Sequence, residues 1–88
     1  MEPLRQRFVA RCAEDLGWLS AWTSEAPLEE LEHRVHRLAG GAGVFGFADL
    51  GEAASRLDQL IASDRRVAPE LLRELLERLK QVAGPQAA

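Results

Sequence analysis

The chain has 88 residues, about 0.6 of a typical domain, which points to one small domain. Lys and Arg total 11 against 14 Asp and Glu, and a net charge of −3 argues against a nucleic-acid binder, which would show a basic surplus. No apolar run approaches the ~18 residues of a membrane span, residues 1–10 carry Glu2, Arg5 and Arg7 and do not read as a secretory leader, and the lone Cys12 excludes an internal disulfide or a multi-cysteine metal site, so the expected location is the cytoplasm.

Leu and Ala contribute 14 residues each, while Val, Ile and Thr together contribute 7 and Tyr is absent. Helix formers dominate and strand formers are scarce, which predicts an all-α protein. Proline punctuates the chain. Pro3, Pro27 and Pro69 each precede an amphipathic pattern and suit a first helical position, and Gly84-Pro85 is the order found at a helix end.

The first predicted helix covers residues 3–22. Leu4, Phe8, Cys12, Leu16 and Leu19 recur at steps of three and four and form one face. Trp18 and Trp22 lie off the centre of that stripe, where packing at the bundle boundary accounts for them better than a binding role. The second helix covers 27–45, with Leu28, Leu31, Val35, Leu38 and Ala42 inward and Glu29 and Glu30 in the first turn, where the helix dipole favours acid. The third covers 48–63 on Leu50, Ala54, Leu57 and Ile61, flanked by Ala53 and Leu60; Ser63 to Arg66 reads as a polar loop. The fourth covers 69–83 on Leu72, Leu75, Leu76, Leu79 and Val82, with Pro85 to Ala88 frayed. Four amphipathic helices with short connections pack most simply as an antiparallel up-and-down four-helix bundle.

One stretch departs from this economy. Gly40, Gly41, Gly43 and Gly46 fall within seven positions, and each glycine inside a helix costs roughly 0.5–1 kcal/mol relative to alanine. Either the helix ends near Gly40, or it continues and the glycines clear space for something to approach. Ala42 and Phe45 extend the inner stripe in register, which favours continuation. At about 100° per residue, Gly40 and Gly43 then lie within roughly 40° of His36, with Ala39 on the same side. His36 points away from the apolar stripe, so the pattern exposes an imidazole and leaves small residues beside it. Such a ring is a competent nucleophile near neutral pH and needs no separate base to attack phosphorus. A solvated histidine without a role remains open, as does metal binding by His33 and His36, three residues apart. The latter lacks a third histidine, and Cys12 sits on another helix's inner side. Neither a Ser-His-Asp order nor a phosphate-loop signature is present.

The run His36-Arg37-Leu38-Ala39-Gly40-Gly41-Ala42-Gly43-Val44-Phe45-Gly46 resembles the signature of histidine-containing phosphotransfer (HPt) domains of bacterial phosphorelays. That signature is His-x-Leu-Lys-Gly, then small residues, then glycine ten positions after the histidine. Leu50, Ala54 and Leu57 fall where the next family helix has its apolar positions, and the upstream helix with Phe8, Leu16 and Leu19 also fits. The resemblance implies a four-helix bundle in which His36 is the phosphoacceptor. It would take the group from an aspartyl phosphate on a receiver domain and pass it to another receiver's aspartate. The implied partners are the receiver domains of a hybrid histidine kinase and of a response regulator. Magnesium would come with the receiver, and no cofactor or metal belongs to this chain itself. Gly40 and Gly43 would let the partner come close. Asp58 stands where the family often has Glu or Gln near the histidine, and would hold the other ring nitrogen. His33 and Glu32 would shape the docking rim or simply be solvated.

In one respect the chain departs from the family: Ala39 replaces the lysine expected three residues after the histidine. Arg37, about 100° round the helix from His36, either compensates with its long side chain or is merely solvated. The first reading is a free-standing monomeric carrier without turnover of its own. The alternative is a non-phosphorylated helical adaptor that docks receiver or kinase domains, and a metal-binding or purely structural bundle comes third.

Overall fold

The four amphipathic stripes form four helices: α1 (Glu2–Ser20), α2 (Leu28–Gly41), α3 (Ala48–Asp64) and α4 (Pro69–Ala87), with a 3₁₀ turn at Gly43–Phe45 between α2 and α3. This computed structural model describes residues 2–87, and the side chains of 3–83. Short connections at 21–27, 42–47 and 65–68 reverse the chain each time. The broadest seams are α2 on α3 and α1 on α4; α3 on α4 completes the bundle, and α1 touches α2 least. The all-α four-helix bundle read from the sequence is the observed architecture, and none of the described helices is long and apolar enough to cross a membrane.

The core follows the predicted stripes closely on α2 and α3. Leu31, Val35, Leu38 and Ala42 meet Leu50, Ala53, Ala54, Leu57 and Ile61, all buried, and α4 adds Leu75, Leu79 and Ala83. Each buried Leu or Ile contributes about 1.5–3 kcal/mol through lost contact with water. On α4, Leu72, Leu76 and Val82 are half-buried against this core rather than sealed in it. Trp18 and Trp22 are also half-buried against it, and the Arg34 guanidinium lies 4.8 Å from the Trp18 ring centroid.

Helix ends differ from the sequence-based bounds for local reasons. The first helix stops at Ser20 rather than 22, because the chain tightens there: Ala21 N–H bonds to both Gly17 and Trp18 carbonyls, and Trp22 N–H to Leu19. The second stops at Gly41 rather than running α-helical to 45. Its continuation winds as a 3₁₀ turn, which brings Phe45 onto Phe8 at a centroid separation of 5.1 Å. Gly46 ends it at φ 89°, a left-handed conformation that glycine adopts without strain. The third closes at Asp64, where Arg65 takes φ 54° and returns its N–H to Ile61. The fourth continues past 83 to Ala87. Of the stretch expected to fray, Ala88 lies outside the described residues.

On α1 Cys12 and Leu19 are buried as expected, but one inward position shifts from Leu16 to Asp15. Leu4, predicted inward, is 58% exposed, Leu16 is only half-buried, and Asp15 is fully buried between Cys12 and Leu19. The cause is electrostatic. Asp15 Oδ1 accepts hydrogen bonds from Arg34 Nη1 at 2.7 Å and Arg37 Nη2 at 3.3 Å, so two α2 guanidinium groups draw a carboxylate into the thinnest seam of the bundle. Arg34 is held further by Glu30 at 2.9 Å, one turn back on its own helix.

Removing both cations leaves an uncompensated buried carboxylate. The double variant Arg34→Ala/Arg37→Ala is expected to lose about 3–5 kcal/mol of unfolding free energy. Urea denaturation measures this, and a loss under ~1 kcal/mol, the size of an ordinary surface ion pair, would show that the cluster does not hold α1 to α2.

Candidate functional site

The α2–α3 seam is lined by small side chains at the end nearest the glycines. A Cβ built on Gly51 of α3 would lie 3.4 Å from Ala42 Cβ and 3.6 Å from Gly43 N, and Ala54 is wholly buried in the same seam. Small residues let the helices approach closely, and the outer edges of both then come within reach of short side chains. About two turns further along the seam His36 on α2 and Asp58 on α3 meet at its outer edge: Nδ1 lies 3.0 Å from Asp58 Oδ2.

His36 is 77% exposed while Asp58 is 22% exposed, so the carboxylate is the anchored partner and the ring stands in solvent. A carboxylate can only accept, so Nδ1 carries the hydrogen and the neutral ring keeps its lone pair on Nε2. No other hydrogen bond engages the ring among the described residues. Asp58 raises the His36 pKa above its ordinary 6.5, first through this hydrogen bond and then through its charge, with a small contribution from Glu32.

The surroundings are acidic. Glu29, Glu32, His33, His36 and Asp58 line one open groove. Glu32 is tied to Arg65 at 3.0 Å, across to the end of α3. His33 is exposed on the same groove, and no group of three or more His, Cys, Asp or Glu is placed to hold a metal among the described residues. Cys12 is buried and its thiol is pushed up to about 12, chiefly by burial and further by Asp15, so it offers no nucleophile.

The candidate residues separate into two groups. His36, His33 and Asp58 come together. Gly40 and Gly43 present open backbone beyond the ring: a Cβ at either would meet nothing within 4 Å. By contrast, a Cβ at Gly41 would lie 3.3 Å from Phe8 Cε1, and Gly46 has its positive φ, so those two glycines have a reason inside the chain. Gly40 and Gly43 have none. Ala39 is half-buried against the core and brings no charge. Arg37 is neither free in solvent nor turned toward His36, since its guanidinium is bonded to Asp15. Asp15 itself is the residue that sequence reasoning missed. Its signal was a lone acid inside an apolar stripe, with two arginines three apart on the next helix.

Comparison with family models matches residues 3–84 to the family described as Hpt domain. No curated protein and no solved structure matches the chain.

Because Asp58 stabilises the protonated ring, His36 is expected to titrate above 6.5, and Asp58→Asn to bring the midpoint down while keeping a side-chain acceptor in place. Between the two midpoints the wild-type ring is mostly protonated at Nε2 and the variant ring mostly free. Imidazole proton shifts followed by NMR across pH 5–9 test this, and coincident midpoints would refute the assignment.

Proposed function

The chain belongs to the Hpt domain family, phosphocarriers of two-component signalling, and from that premise we propose that it carries a phosphoryl group on His36 between the aspartates of two receiver domains. The observation that carries this reading is an exposed imidazole whose Nδ1 is held by Asp58 at 3.0 Å and whose Nε2 has no hydrogen-bond partner among the described residues, on the helix that one turn later carries Gly40, where a Cβ would meet nothing within 4 Å.

In the forward step the Nε2 lone pair attacks phosphorus of the receiver's aspartyl phosphate. The N–P bond forms as the P–O bond breaks, and its electron pair returns to the receiver carboxylate. The ring becomes cationic with its hydrogen still on Nδ1, and the Asp58 carboxylate stabilises that charge. The onward step reverses the sequence: a second aspartate oxygen attacks phosphorus and the pair returns to Nε2. No proton leaves, so the carrier needs no general base. Magnesium bound by the receiver would neutralise charge on the moving group. This chain contributes position and an oriented nucleophile.

One observation favours the adaptor reading. Ala39 leaves the ring without the family's lysine, and Arg37 is occupied by Asp15. A chain that docks receivers without accepting phosphate would show this pattern.

Incubation with phosphorylated receiver domains separates the two readings. Acid-labile, base-stable label on the wild type, and none on His36→Gln, is the result expected of a carrier. Receiver binding with no label would overturn the carrier in favour of the adaptor. Gly40→Leu sharpens the test. It fills empty space and improves helix propensity by about 0.5–1 kcal/mol, so thermal stability should hold or rise. Transfer from a receiver should nonetheless fall by about tenfold or more, because the side chain displaces the incoming aspartate. Unchanged transfer would show that the glycines do not mark the docking surface.

A further inference from the structure

The Arg37 flank of α2 carries a second feature, unrelated to holding the phosphoryl group. Residues 3–13 contain Arg5, Arg7 and Arg11 and no acid, a local charge of +3 in a chain whose net charge is −3. Where α1 passes the end of α2, a groove is floored by Phe8 and Phe45 and edged by Leu4, Arg7, Arg11 and Arg37, with no acidic side chain in its lining. Arg7 and Arg11 are exposed, and neither forms an ion pair among the described residues. Leu4 is 58% exposed at one end of this groove. Phe8 stacks on both Phe45 and Phe47, at 5.1 and 5.8 Å between centroids, so the floor is rigid.

Two exposed arginines with no ion-pair partner among the described residues, set above an apolar floor, suit an amphipathic segment carrying acids on either side of an apolar side chain. The groove also lies within reach of any partner that engages His36. Arg37 sits about 100° and Gly41 about 140° round α2 from His36, and a helix with its side chains is only ~10 Å across. A standard interface covers about 800 Å² per partner, a patch of roughly 16 Å radius.

We propose that this basic, phenylalanine-floored groove selects the receiver partner, and that the receivers served by this chain present an acidic, apolar-centred helix to it. The inference rests on the carrier reading above, because the receiver is the occupant. Arg7 and Arg11 are specificity residues that act through encounter and docking and take no part in the chemistry. The acidic groove on the other side of His36, lined by Glu29 and Glu32, would repel the same acids and so fix the orientation in which the partner lands.

The probe is the receiver domain of the source genome to which the phosphorylated wild-type chain transfers fastest, assayed at 50 and 300 mM salt. The double charge reversal Arg7→Glu/Arg11→Glu is expected to slow transfer at least about tenfold at low salt. It should also abolish the fall in rate that added salt causes in the wild type. A neutral Arg7→Ala/Arg11→Ala variant should fall in between, and a matched reversal far from the groove, Arg66→Glu/Arg73→Glu, should transfer like the wild type. Reversing the receiver's acidic positions to lysine should restore transfer to the doubly reversed chain. Circular dichroism confirms that the variants are folded. Transfer by Arg7→Glu/Arg11→Glu within twofold of wild type, with the same salt dependence, would overturn the proposal while leaving the carrier role intact. A wild type that transfers to no receiver would overturn both.

Discussion

The close approach of α2 and α3 is the constraint on which the site depends. Ala42, Gly51 and Ala54 are small and buried toward one end of the seam, and about two turns further along it a side chain as short as aspartate spans from one helix to a histidine on the other. A longer acid could bridge a wider seam, but with more rotamer freedom to lose. Here the reach comes from the backbone spacing, and the carboxylate is consequently three-quarters buried while the ring it holds is not. The hydrogen bond to Asp58 thus determines which imidazole nitrogen is free, and so which atom would meet phosphorus in the proposed transfer.

On the opposite flank a buried carboxylate organises the structure in a different way. Asp15 binds two guanidinium groups at 2.7 and 3.3 Å, and the shorter contact belongs to Arg34, which also stacks on Trp18 and bonds Glu30. Arg37 is thus bonded to Asp15 and turned away from the His36 ring. The His36 ring is then left among acids, with Ala39 where the family expects lysine. On the proposed carrier role, charge neutralisation at the phosphoryl group would have to be supplied across the interface, which would make the site dependent on its partner for more than the phosphate.

Much of this was legible in the residues alone. The stripes of α2 and α3 gave the buried positions because leucine at steps of three and four has one outcome in a small bundle. The glycine run pointed to His36 because glycine without an internal reason is conspicuous inside a helix. Asp58 came only through the resemblance, since no periodicity joins residues 22 apart. Asp15 escaped because an apolar-stripe reading assigns the inward position to its neighbour Leu16, and the attraction that overrides this comes from arginines on another helix. The end of α2 escaped because the in-register apolar pattern of Ala42 and Phe45 outweighed the glycines' poor helix propensity in the reading, whereas in the structure the chain winds more tightly there and stacks Phe45 on Phe8.

Cys12, sealed beneath α1 with its thiol pushed up to about 12, gives the molecule a silent reporter. Being the sole sulfhydryl, it resists alkylating reagents for as long as the bundle is closed, and its modification rate counts excursions that expose the interior. An added surface cysteine would therefore take a probe alone under native conditions, while the original one keeps time for opening of the fold.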